Sequence, residues 1–124
     1  VYYVQYGHAR MASILRTAAE REITYETADL SLLVHDRELE LIRKIIELPA
    51  IVERSAERNE PHHLPHYAME LSRSLQRFYE DCRVVSSEKR ELEISRARLQ
   101  LVEAAKVALS RTLTLMGMSS PDRM

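Results

Sequence analysis

The sequence predicts an all-α fold, a helical bundle of four to five main helices forming one domain over residues 1–124. Three observations carry that expectation. Only two Gly and four Pro occur in 124 residues, against an abundance of Leu, Ala, Glu and Arg, which is the composition of helices joined by short connections. Along residues 60–83 the apolar positions Leu64, Ala68, Leu71, Leu75, Phe78 and Cys82 recur at alternating steps of four and three, one continuous stripe on a helix. In the last third, Ile94, Ala97, Leu101, Ala105, Ala108, Leu109, Leu115 and Met116 hold the same phase. A chain of this length buries a core without disulfide or metal staples.

Residues 1–21 read as a first helix, with Val4, Gly7, Met11, Ile14, Leu15 and Ala18 on one side and Tyr6, Arg10 and Ser13 towards the other. It starts without a capping residue or an initiating Met, so a longer chain upstream is expected. Residues 24–35 hold the short apolar piece Leu30-Ser31-Leu32-Leu33-Val34, a packed turn or one coil of helix. Asp36 is the expected N-cap of a second helix that runs to Leu48, with Glu38 near its positive end. Pro49 suits a first turn better than a helix interior and opens a short third helix through Arg58. The stretch from Asn59 to Pro65 forms a joint before the central helix, and Ser86-Ser87-Glu88 leads into the last one. Gly117 stops that helix, and residues 119–124 form a non-helical tail.

Composition excludes several classes of function. A formal net charge of −1 argues against a large non-specific nucleic-acid binder, while leaving room for a local basic patch. The single Cys82 cannot form an internal disulfide and sits on the apolar stripe, where cysteine is a small core residue. No apolar run approaches the roughly 20 residues of a membrane span and no basic-then-apolar leader opens the chain, so a cytoplasmic protein without membrane partners is expected. Glu60-x-x-His63 has di-iron ligand spacing but lacks its second copy, and His62, His63 and His66 lack obvious further ligands. No Gly-rich phosphate loop is present. The expectation is no catalytic residue, no metal and no cofactor in this chain. The Lys and Arg of the last helix alternate with Glu, the pattern of a solvated face.

The central helix offers more. Beside its buried stripe, Ser72, Gln76, Tyr79 and Arg83 share one flank, and Arg73 and Arg77 lie further round. A ring, a guanidinium and neutral hydrogen-bonding groups beside a core suit an unpaired base better than a small-molecule reaction. The bland reading is half-buried packing, with Tyr6 and Arg10 merely stacked on each other. An alternative function is a non-catalytic dimerisation or docking module.

Three strings resemble the C-terminal, DALR-type anticodon-binding domain of arginyl-tRNA synthetases. They are Tyr2-Tyr3-Val4-Gln5-Tyr6-Gly7-His8-Ala9-Arg10-Met11; Pro61-His62-x-Leu64-x-x-Tyr67 with Glu70-Leu71 and Phe78-Tyr79-x-x-Cys82-Arg83-Val84; and Ala97-Arg98-Leu99 through Leu115-Met116-Gly117-Met118 to Pro121-x-Arg123-Met124. They occur in family order from end to end. Gly7 stands where the family more usually has Ala, and Pro65 and Ala68-Met69 depart from its pattern at the start of the central helix.

The resemblance implies a grip on the anticodon stem-loop of arginine tRNA, with ATP and Mg used by a catalytic domain in cis that this chain lacks. A monomer is expected. Every arginine codon has G in the middle, so every arginine anticodon offers C there and one pocket serves all isoacceptors. By position, the resemblance assigns anticodon contacts to Tyr79, Arg83, Arg73, Tyr6 and Met124, whose α-carboxylate can accept from a cytosine amino group. Arg10 and Arg77, with Arg73, are candidates for phosphate contacts.

Overall fold

A computed structural model describes residues 2–58 and 63–124. The described chain is helical without strands: α1 (Tyr2–Glu20), α2 (Asp36–Ile46), α3 (Leu48–Arg58), α4 (His63–Asp81) and α5 (Leu92–Leu115), with 3-10 turns at Leu30–Leu32 and Lys89–Glu91. None of these helices is long and apolar enough to cross a membrane. The joint expected at residues 59–65 lies partly outside the described residues, and with it Glu60 and His62 of the weighed metal pattern.

The hub is α4, which packs against each of the other four helices. Its stripe residues Ala68, Leu71, Leu75 and Phe78 are sealed from solvent, and they meet Val4 and Met11 of α1, Leu41 of α2 and Leu101, Leu109 and Leu113 of α5 in one core. Pro65 sits in the first turn of α4, where its missing N–H costs nothing. Tyr67 ties α4 to α2: its hydroxyl donates to the Lys44 carbonyl at 2.5 Å, in the last turn of α2, where the Glu47 amide meets the same oxygen at 3.2 Å.

Burial, helped by the charge of Glu47, pushes the Tyr67 phenol up to about 12. Its stability contribution is therefore full below pH ~10 and lost as pH climbs through ~12, because the unfolded phenol ionises first. Spectrophotometric titration is expected to show a late tyrosinate component that Tyr67→Phe removes.

Two boundaries and one side chain differ from expectation, each for a tertiary or local reason. The cap of α2 is His35 and not Asp36: His35 Nδ1 accepts from the Arg37 amide at 3.0 Å, while Glu38 Oε1 accepts from the His35 amide at 2.9 Å. The central helix stops at Asp81, so Arg83 lies past its end. There the chain turns to bury Val84, and Arg98 Nη1 takes the Arg83 carbonyl at 2.9 Å. Arg98 also leaves the solvated face assigned to α5: its Nε donates to Glu38 Oε2 at 2.6 Å, and that carboxylate is 1% exposed.

Gly117 ends α5 with φ +74°, a left-handed conformation open to Gly without penalty. The Met118 amide donates to the Leu113 carbonyl at 2.8 Å and the Gly117 amide to Thr114 at 3.0 Å, which satisfies two carbonyls at the helix end. That turn sends the tail back towards α1.

Candidate nucleic-acid interface

At the seam of α1 and α4 each helix contributes three residues at steps of four and three: Tyr6, Arg10 and Ser13 from one, Ser72, Gln76 and Tyr79 from the other. The Arg10 guanidinium lies 4.7 Å from the centroid of the Tyr79 ring and 5.0 Å from that of Tyr6. Its Nη1 donates to Gln76 Oε1 at 2.8 Å and its Nη2 to the Tyr6 hydroxyl at 3.4 Å. Gln76 is itself oriented by donation from Nε2 to Glu80 Oε1 at 2.9 Å. Both rings remain open to solvent, Tyr79 at 44% and Tyr6 at 45%. A cation between two ring faces holds both tyrosines in place without sealing either.

Arg10, expected at a phosphate, is thus engaged inside the seam. Ser72, read as part of the open flank, is buried; its Oγ has no hydrogen-bond partner among the described residues and borders a crevice of about 20 Å³ beside Gly7 and Gln76, room for a water-sized group.

Tyr79, with Ser13 and Ile14 of α1, forms the ridge shared by two open depressions. On one side, a depression of about 420 Å³ is bordered by Tyr6, Arg10, Ser13, Arg16, Arg123 and Met124. On the other, one of about 600 Å³ is bordered by Ser13, Thr17, Arg83 and Val85. The tail thus brings Met124, half exposed, to the same hollow as both tyrosines, although 45 residues separate it from Tyr79 in sequence. Arg83 borders the hollow on the opposite side.

The remaining predicted residues divide. Arg73 is exposed on α4 outside both depressions. Arg77 points the other way, its Nη1 2.9 Å from Glu40 Oε1 in a group with Arg37 and Asp81 that joins α2 to α4. Two arginines and their hydrogen bonds hold the Glu40 carboxyl below its usual range despite burial. Arg77 is therefore a structural cation and not a neighbour of Tyr79. Among the described residues the side chains of Arg73, Arg83 and Arg123 have no ion-pair partner. Cys82 is core as expected, and burial pushes its thiol up.

Sequence reasoning missed what fixes the tail. Gln5, His8 and Arg16 of α1 reach the backbone of residues 119–122. The one available signal was His8, a ring within a run of positions whose neighbours Ala9, Met11 and Ala12 are all buried.

Residues 4–124 match the family model for the DALR anticodon binding domain. The chain is 54% identical over 124 residues to the arginine–tRNA ligase of Dehalococcoides mccartyi strain CBDB1, and 53% to that of strain BAV1; each alignment takes in the whole chain and 22% of the relative. Among solved structures, Thermus thermophilus arginyl-tRNA synthetase superposes with a TM-score of 0.83 at 30% identity, over 98% of this chain and 21% of that one. The chain thus spans about a fifth of the length of the curated relatives it matches. With the family model matched almost from end to end on a helical bundle of the same shape, the chain belongs to the DALR anticodon binding domain family.

Proposed function

We propose that this chain is one helical domain that binds the anticodon stem-loop of arginine tRNA, serving an ATP- and Mg-dependent arginine–tRNA ligase whose catalytic domain lies elsewhere in the same polypeptide. The enzyme is proposed to act in the cytoplasm as a monomer. The observation that carries the reading is the ridge: one exposed tyrosine, backed by a guanidinium at 4.7 Å, between two hollows that hold Met124 on one side and Arg83 on the other.

A single-stranded loop laid across such a ridge can stack one base on Tyr79 and drop its neighbour beyond it. The middle anticodon base, C in every arginine isoacceptor, has an exocyclic amino group that needs an acceptor, and Met124, whose main chain carries acceptor oxygens, borders the hollow where it would sit. Arg73, Arg83 and Arg123, free of carboxylate partners among the described residues, are placed to meet phosphates, contacts that position the loop without reading it.

A fluorescence titration with anticodon hairpins tests this. A hairpin carrying C at the middle position is expected to bind about ten times more tightly than one carrying G, a single-base mismatch being worth ~1–3 kcal/mol. With three phosphate contacts, the log of the association constant should fall with log salt at a slope of about −2. Equal affinity for both hairpins rejects the reading.

A further inference from the structure

We propose that Gln5, His8 and Arg16 are positioning residues that set Met124 at the Tyr79 ridge by holding the tail through its main chain, with His8 as the central hold. The inference rests on the function proposed above and goes beyond it in naming what places the reading group.

The three side chains grip three tail carbonyls in order. Gln5 Nε2 donates to Ser119 O at 3.1 Å, His8 Nδ1 to Pro121 O at 2.8 Å and Arg16 Nη1 to Asp122 O at 3.0 Å. A carbonyl only accepts, so His8 carries its proton on Nδ1. All three lie on the face of α1 adjacent to the one that presents Tyr6 and Arg10, so a single helix holds the tail on one side and the slot on the other. From α5, Ser110 Oγ meets Ser120 Oγ at 3.1 Å and Lys106 Nζ lies 3.9 Å from Asp122 Oδ1. The tail is thereby laid in the groove between α1 and α5.

Past Gly117 the chain has no secondary structure of its own to fix it, so these contacts decide where Met124 lies. His8 is the one of the three fully removed from solvent, at 3% exposure. A buried donor facing a carbonyl is directional and is not replaced by water when it is lost. Beyond the backbone these donors meet only the Ser119 hydroxyl, 3.3 Å from Gln5 Nε2, and the Asp122 carboxylate, 3.9 Å from His8 Nδ1, so the side chains of Arg123 and Met124 remain available for a ligand.

The test compares the chain with its His8→Leu, His8→Asn and Gln5→Leu variants by two measurements. Backbone ¹⁵N relaxation reports the order of residues 120–124, and titration with the C and G hairpins reports discrimination. In His8→Leu the tail is expected to become mobile while α1 to α5 keep their order, and the preference for C to fall about tenfold, the cost of one lost buried hydrogen bond. His8→Asn, whose amide nitrogen can replace Nδ1, should restore both. Gln5→Leu, at a more exposed position, should give the same change in smaller measure and serves if His8→Leu fails to fold. A mobile tail with undiminished preference overturns the inference, and so does a tail that stays ordered. Should the unsubstituted chain bind both hairpins alike, the proposed function falls, and relaxation alone decides the anchor: a freed tail upholds it and an ordered one rejects it.

Discussion

Arg98→Met is expected to lower the free energy of unfolding by about 3 to 5 kcal/mol, because it leaves a sealed carboxylate without its cation. Glu38 is 1% exposed and Arg98 Nε lies 2.6 Å from it, with the Arg98 side chain itself 16% exposed. The carboxylate has a second duty, since its other oxygen accepts from the His35 amide at the start of α2. Met keeps the length and packing of the Arg stem but offers no donor. Three groups lose partners or balance at once: the Glu38 carboxylate, the α2 cap it completes and the Arg83 carbonyl that Arg98 Nη1 holds. For a chain of this size the midpoint of thermal unfolding should drop by about 10 to 20 °C. The double variant Glu38→Leu/Arg98→Met is expected to recover most of the loss, since an apolar pair desolvates nothing. Thermal or urea unfolding of the three variants measures the difference. A double variant as unstable as Arg98→Met alone would mean that the α2 cap, and not the charge pair, carries the energy.

That pair also marks where the sequence stops being readable. The stripe on α4 was legible because its phase is repeated five times by residues with no alternative to burial, and α4 does become the hub that touches every other helix. Pro49 and Gly117 were legible because each acts on its own backbone. Arg98, by contrast, sits in a run of alternating charges that looks solvated. Only folding brings it to a carboxylate 60 residues away, and nothing local separates it from Arg96 or Lys106. The same blindness covers the tail, whose fixing contacts span 106 to 114 residues, and Arg77, whose carboxylate partner lies on another helix. His35 was missed for a different reason: an imidazole nitrogen can accept an amide as Asp does, but helix-start rules rank Asp, Asn, Ser and Thr first, and Asp36 stood next to it. For the candidate interface, helix spacing placed Tyr79 with Gln76, and Tyr6 with Arg10. It could not show that Arg10 bridges the two sets, or that Arg83 leaves the helix before reaching them.

Tyr79→Ala is expected to weaken binding of the C-containing anticodon hairpin by about 5- to 150-fold, the loss of one stacked base at ~1–3 kcal/mol, with little effect on folding. The stability half follows from exposure: a ring 44% open, resting on a guanidinium, leaves no sealed cavity when removed. The binding half follows from its place on the ridge between two hollows, so its removal takes the stacking face away. Companion variants separate the parts. Tyr79→Phe keeps the face and should bind within about threefold of the original, since stacking needs the ring and not the hydroxyl. Arg10→Ala leaves both rings but removes the cation that bridges them and the donor to Gln76, so the tyrosines should lose their fixed relation. Its effect on affinity should lie between the other two, with a salt slope unchanged, because Arg10 is engaged with rings and not with phosphate. A slope that falls by about 0.7 on removing Arg10 would instead return that residue to the phosphate role expected from the sequence, and the guanidinium would then have to leave the seam when RNA arrives.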